Sequence, residues 1–566
     1  MQSQPIQPIQ PLEENNPFII KPKDTKTKKN VCLICGGLLI KIGSKPIQTI
    51  RYPHKPYIEQ KLQIIHLCGH HTEETVRHYN YTNIRSLDNK KPFPYQIKTA
   101  RFAEESNFRC LIGHAPGLGK TICSVIPLIY HDELLPVCIV TKASLKIQWT
   151  NEVLRWTNSY GEALSIKHAP YVVEKGTDKI GIGFNVTIIS YDTLIRWKYR
   201  ENNPFRLIIL DECQSIKNQD AKRTNAVREL CKGKDHVIGL SATPVKNHAG
   251  EYFSVLNLIQ PEIFPDNSWF IRQWVDTWKS GVYTKYGGIK REKLDEWKEK
   301  TSSFIIRYEK EDVLPELPKV FRSFAYAKLD SRLEDAYEHS SRQLDELEED
   351  KNYMSNVLAL LAKLRHITGI SKVPDTIERV RNFLENDDNE KLTVFVHHID
   401  VGNMIFRGVE EICKEMSLEA PVRFESAMDE KARNEAVERF RGSSRIMVAS
   451  MLAAGEGLNL QFCSTCIVHE RQWNPANEEQ AEGRFPRPGN TSDSIQAIYM
   501  VALGTIDEYF AELVERKREA VDRTLKGTEG IRYDETSLIK DLVSKIKEKG
   551  SKFSLKNEKR KAGMEE

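Results

Sequence analysis

The nine residues Gly113-His114-Ala115-Pro116-Gly117-Leu118-Gly119-Lys120-Thr121 join a short apolar run to an amphipathic one. Small residues followed by Lys-Thr suit a loop that wraps phosphate. The backbone N–H groups of Gly117, Leu118 and Gly119 can turn inward, Lys120 can reach the β- and γ-phosphates, and the Thr121 hydroxyl can ligate magnesium. The full pattern asks for glycine where His114 stands, so an ordinary glycine-containing turn before a helix is an equal alternative from these residues alone. About ninety residues later, four apolar residues end in Asp211-Glu212, a pair of carboxylates at the end of an expected strand. Asp211 suits a magnesium ion, directly or through water, and Glu212 suits orienting and deprotonating an attacking water.

A second chemistry stands near the N-terminus. Cys32 and Cys35 form one ligand pair, and Cys68 with His71 repeats the same spacing, with His70 as the alternative imidazole. Three thiolates and one imidazole fit tetrahedral zinc; buried thiols beside a surface histidine are the bland alternative. The other cysteines are scattered through an odd total of 11, which reads as reduced thiols in an intracellular compartment.

These groups need a scaffold. Short β-branched runs at 137–141, 186–190, 205–212 and 236–243, and again at 392–398, 445–450 and 465–470, alternate with helical stretches. That rhythm predicts parallel sheets, whose ligands sit at the carboxyl ends of the strands. The expected divisions are a Pro/Gln-rich and then Lys-rich disordered arm over 1–30, a zinc-binding module over 31–90, and a first α/β half over 91–320. A helical insertion over about 251–300, a helical linker over 321–375, a second α/β half over 376–525 and a charged tail over 526–566 complete the chain. Phe270, Trp274 and Trp278 fall at helical spacing, which predicts core packing of a helical protrusion. Hydrophobic residues make up 40% of the chain and charged ones 29%, and no apolar run approaches the length of a membrane span or a signal peptide. The net charge of +4 is uneven: residues 1–90 carry +6, residues 540–566 carry +4 and the centre carries −6, so a nucleic-acid grip on the centre needs a local basic groove.

The ordered motifs resemble the Swi/Snf-type ATPases of helicase superfamily two, whose phosphate loop lacks the first glycine. The resemblance spans about 92–525. It rests on "PYQIKTARF", the phosphate loop, "IVTKASLKIQWTNEVLRW", "IISYDTL", "LIILDECQSIKN", "LSATP", "FIIRYEKEDVLPELPKV", "LAKLRHI", "MLAAGEGLNLQ" and "WNPANEEQAEGRFPRPGN". It implies two tandem RecA-like lobes, with Gln96 at the adenine edge and Gly457 on the nucleotide side. Gln480, Arg484 and Arg487 would be catalytic, Arg487 foremost as an arginine finger. Ser144, Ser190, Ser241, Thr243 and Asn459 would couple nucleotide state to DNA. Lys142, Ser426, Pro486, Pro488 and Asn490 depart from the family pattern, as does the segment from His114 to Pro116.

The family implies ATP with magnesium, and a motor that tracks along double-stranded DNA without obligatory strand separation. Its setting would be the nucleus of a eukaryote, or the cytoplasm for a prokaryotic or cytoplasmic viral protein, with no membrane partner. A strand-separating helicase on single-stranded nucleic acid or RNA is one alternative. A nucleic-acid-binding scaffold with an inactive ATPase is another.

Overall fold

The structure is a computed structural model. It describes residues 41–51, 57–66, 71–79, 81–157, 168–181, 183–245, 248–280, 283–347, 353–386, 390–454, 458–525, 539, 543 and 544. The chain forms two compact units, Met1–Tyr81 and Thr82–Glu566. In the first, β1 (Lys41–Arg51), β2 (Tyr57–His66) and β3 (His71–Tyr79) make an antiparallel sheet in chain order. Cys32, Cys35, Cys68 and His70 lie outside the described residues, and His71 opens β3.

The second unit holds two sheets. The first has strands β4 (Arg109–Ile112), β5 (Val137–Thr141), β6 (Pro170–Val173), β7 (Val186–Ser190), β8 (Leu207–Leu210), β9 (His236–Leu240) and, across an insertion, β12 (Ile305–Ile306). Their order is β12-β4-β9-β8-β5-β7-β6, and every pairing is parallel. Strands β5, β7 and β8 are buried along their whole length, which is why they read as unbroken apolar runs. The insertion contains a helix, Asn267–Trp274, and then the hairpin β10 (Val275–Ser280) and β11 (Tyr283–Ile289). Phe270 and Trp274 are buried in the core of the first lobe as expected. Trp278 is not on that helix; it stands on β10 opposite Lys285, because the β-favouring run Val275–Trp278 overrides the helical spacing.

The second sheet has strands β13 (Lys319–Ala327), β14 (Leu392–Val396), β15 (Val422–Phe424), β16 (Ile446–Ser450), β17 (Thr465–Val468) and β18 (Ser494–Ala502), ordered β13-β18-β17-β14-β16-β15 and again all parallel. The start of the expected helical linker is therefore a strand: Lys319–Ala327 pairs residue for residue with Ser494–Ala502. Its place at the sheet edge leaves Phe321 and Tyr326 exposed, so the run lacks the buried signature of its neighbours. Helices follow from Ser331 and Tyr353. Every cysteine among the described residues is a buried, unpaired thiol. No described helix is long and apolar enough to cross a membrane.

Candidate active site

The phosphate-loop sequence leaves β4 at its carboxyl end and enters the helix Lys120–Val125. Gly117 and Gly119 both hold positive φ, at 89° and 68°, a conformation that glycine adopts without strain. At Gly119 a side chain would push Gln96 off the loop: its Cβ would lie 2.6 Å from the Gln96 amide nitrogen. Gln96 is buried, donates to Leu118 O at 3.3 Å and accepts from Phe93 N at 2.9 Å, while the Tyr95 hydroxyl also donates to Leu118 O at 3.0 Å. The expected adenine-side residue thus also buttresses the loop. Lys120 Nζ donates to the carbonyl of His114 at 2.9 Å, and desolvation pulls it down to about 8 despite the nearby carboxylates of Glu212 and Asp211.

His114 is fully buried. Its Nδ1 accepts from Tyr308 N at 3.1 Å, so its Nε2 proton faces the Thr99 hydroxyl at 2.8 Å, and that hydroxyl donates onward to Tyr95 O. Burial, with Lys120 and Arg307 nearby, pushes this imidazole down to about 3 and keeps it neutral. In place of a glycine the loop has a side-chain post. The post stands against β12 and its continuation: Gly113 N donates to Ile306 O at 2.8 Å and Ala115 N to Tyr308 O at 3.0 Å. Arg307 closes the seam, with Nη1 donating to Gly113 O at 2.6 Å and to Ala242 O at 2.9 Å.

Sheet order brings the acidic pair to the same cleft. Asp211 follows β8, and its Oδ2 accepts from the Thr141 hydroxyl at the end of β5 and from the Trp149 indole, both at 2.8 Å. No described hydrogen bond uses Oδ1. That leaves an oxygen for a metal ion or its water, and the Thr121 hydroxyl is half-buried on the loop side, so this donor set fits magnesium. Burial, with Glu212 beside it, raises Asp211 to about 6. Glu212 sits in the left-handed region at φ 48° and accepts from the Gln214 side chain. Gln214 in turn accepts from the Ser241 hydroxyl at 2.6 Å, and Ser241 Oγ accepts from Thr243 N at 3.1 Å. A continuous polar chain therefore links Glu212 to the Ser241–Thr243 loop.

The second lobe reaches the loop through the turn after helix Pro475–Glu482, which carries Gln480. Arg484 and Arg487 lie on this turn, and Asn490, a departure from the family pattern, braces it by donating to Phe485 O at 3.0 Å and Cys463 O at 3.3 Å. The helix itself is anchored by Arg471, whose Nη2 pairs with buried Glu478 at 2.7 Å, and by Arg322, which pairs with Glu482. At the lobe contact, a Cβ on Gly117 would lie 3.5 Å from Gly483 O, 3.6 Å from Arg487 Cγ and 3.8 Å from Lys310 Cε. Desolvation and Arg484 hold Arg487 down at about 9. A cleft lined by Pro116, Thr243, Arg307, Arg322, Glu479 and Arg518 opens beside this contact.

The structure brings together Gln96, Lys120, Thr121, Asp211, Glu212, Ser241, Thr243 and Arg487. Ser144 is exposed in the middle of the Ala143–Leu145 turn. Ser190 is buried and caps the helix Tyr191–Arg196 by accepting from Thr193 N, so its hydroxyl is committed within the lobe. Asn459 donates to Gln461 at 3.4 Å, and Gly457 lies outside the described residues. Residue-by-residue reading did not single out Thr141, Arg307 or Lys310. Arg307 and Lys310 lie within the family-like segment Phe304–Val320, where spacing alone assigns them no role, and Thr141 only gains one when β5 lies next to β8. Among the described residues no group of three or more His, Cys, Asp or Glu is placed to share a metal ion.

An SNF2-related domain matches residues 76–371, and a helicase conserved C-terminal domain matches residues 375–489. The human protein named DNA annealing helicase and endonuclease ZRANB3 is 26% identical over 456 residues, covering 77% of this chain and 40% of that protein. An uncharacterized ATP-dependent helicase of Mycoplasma pneumoniae is 26% identical over 478 residues, covering 80% and 43%. A Caenorhabditis elegans homolog of SWI/SNF-related matrix-associated actin-dependent regulator of chromatin subfamily A-like protein 1 is 27% identical over 442 residues, covering 76% and 61%. The match thus spans about two fifths of the first two proteins and three fifths of the third. Among solved structures, the Sulfolobus solfataricus SWI2/SNF2 ATPase core in complex with dsDNA is 21% identical with a TM-score of 0.38, covering 78% of this chain and 93% of that one. With the SNF2-related domain alone spanning more than half of its length, the chain belongs to the SNF2-related family of helicase-like proteins.

Proposed function

We propose that the chain is a DNA-dependent ATPase that translocates along double-stranded DNA and remodels DNA or nucleoprotein complexes without obligatory strand separation. The observation that carries this reading is the meeting of Arg487 with the glycine loop, opposite a lysine and a carboxylate pair borne by the other lobe. Lys120 would leave its loop carbonyls for the β- and γ-phosphates, and Glu212 would take the proton of the attacking water. Arg487, with Arg484 behind it, would offset charge building on the transferred phosphoryl group. Asp211 and Thr121 would hold a magnesium ion, which when bound supplies neutralisation of phosphate charge. Making and breaking the Arg487 contact would close and open the lobes, and the chain from Glu212 through Gln214 to Ser241 offers the first lobe a route from nucleotide state to the DNA side. Duplex DNA is the proposed partner, in line with the family.

The zinc reading of Cys32, Cys35, Cys68 and His71 rests on their spacing, and metal content of the purified full chain checks it: about one zinc per chain is expected, and none would end it.

Steady-state ATP hydrolysis measured without nucleic acid, and with duplex DNA, single-stranded DNA or RNA, tests the main proposal. Duplex DNA should stimulate most, and Lys120→Ala and Glu212→Gln should each lower the rate by about 100-fold or more. Preference for single strands or RNA would point to a strand-separating helicase. No hydrolysis from folded protein would point to a scaffold.

A further inference from the structure

Lys310 opens the short helix Lys310–Val313, just beyond β12. That segment is fixed to the first lobe, not hung between the two. Tyr308 is tied to His114 and Ala115, and Arg307 to Gly113 and Ala242. Tyr308, Val313 and Leu317 pack with Leu314 against Tyr95, Ala115 and Leu118. The Lys310 side chain is therefore delivered to one place, the lip of the phosphate loop, with its Cε 3.8 Å from the point where a Cβ would stand on Gly117.

Its surroundings are wrong for a lysine with a structural role. The ammonium is half-buried, and among the described residues it makes no ion pair and no side-chain hydrogen bond. Its strongest charged neighbour is another cation, Arg487, and Lys120 adds to the repulsion; Glu311 and Glu482 offset them only in part, so that desolvation and Arg487 lower it to about 8. A structural lysine so placed would be expected to carry a carboxylate partner, as Lys217 does with Glu251 at 2.8 Å and Lys372 with Asp507 at 2.6 Å. Three cations converging on a glycine loop make a site for a polyanion.

We propose that Lys310 contacts the terminal phosphate of the bound nucleotide, supplying from the first lobe a cation that faces the same phosphate as Arg487 of the second. This rests on the nucleotide-site reading above. The two cations differ in how they are carried. Lys310 travels with the loop, whereas Arg487 arrives only with its lobe, so Lys310 holds the terminal phosphate before closure and Arg487 completes the clamp.

Fluorescent ADP and a fluorescent ATP analogue with a non-hydrolysable β,γ-imido bridge, each with magnesium, are titrated onto the full chain and its variants. Lys310→Met keeps the length of the side chain and removes its charge. It should weaken the imido analogue about tenfold and ADP less than about twofold, with Lys310→Arg restoring most of the difference. Lys310→Gln is a second neutral replacement that should show the same split. Equal weakening of both nucleotides, or of neither, would overturn the proposal. Lys120→Ala separates the two ideas: loss of both nucleotides upholds the site, whereas unchanged binding would remove the site and Lys310's role with it.

Discussion

The His114 ring accepts one hydrogen bond and donates another inside a closed core, so its neutral form is built into the fold. Because its folded value is depressed to about 3, against about 6.5 in an unfolded chain, it contributes stability above pH 6.5 that drains away as pH falls toward 3. His114→Gln cannot titrate. Chemical denaturation should therefore find wild type ahead by about 1–3 kcal/mol at pH 7.5, with the gap closing as pH drops through 6. A gap that does not change with pH would show that the ring is not held neutral. Asp211 is the opposite case. Raised to about 6, against about 3.9 in an unfolded chain, it opposes folding increasingly as pH rises from about 4 to 6, and in full above that. Asp211→Asn keeps an acceptor for Thr141 and Trp149, so it should raise the melting temperature at pH 7.5 more than at pH 5 while abolishing hydrolysis. The convergence of Lys120, Asp211 and Glu212 was legible because local sequence frames each of them beyond the end of a strand. Thr141, Trp149 and Arg307 act across strands that are neighbours only in the folded sheet, so their present contacts had no local signal.

At the scale of elements, the buried parallel strands were legible because both faces are covered and their sequences are apolar throughout. Strand β12 was not, since two residues carry no pattern, and the edge strand β13 shows exposed aromatics where a buried alternation would have marked it. The hairpin β10–β11 was hidden by tryptophans that happen to fall at helical spacing. Yet β12 is what frames the phosphate loop, and Arg307 is its main tie, bridging Gly113 and Ala242. Arg307→Ala should cost about 2–3 kcal/mol in equilibrium unfolding, because it strands two carbonyls, and should raise the KM for ATP. A loss of stability with KM unchanged would mean that the seam does not shape the loop.

The whole molecule turns on how the lobes meet. Gly483 keeps helical-range φ, so its lack of a side chain answers to contact, not to backbone strain: a Cβ there would lie 2.9 Å from Pro116 Cβ and 3.0 Å from Glu479 O. Gly483→Ala should therefore hold the lobes apart, lowering kcat at least about tenfold while ADP binding and the melting temperature change little. With the centre of the chain carrying −6, the proposed duplex partner would have to be held by a local basic surface and not by a general positive field. Displacement of a labelled third strand from a DNA triplex, followed in time with full-length protein and ATP, tests that motor most directly. The account predicts ATP-dependent release of the third strand with the underlying duplex left intact, and none with Glu212→Gln. Vigorous duplex-stimulated hydrolysis with no displacement, or separation of the duplex strands, would contradict it.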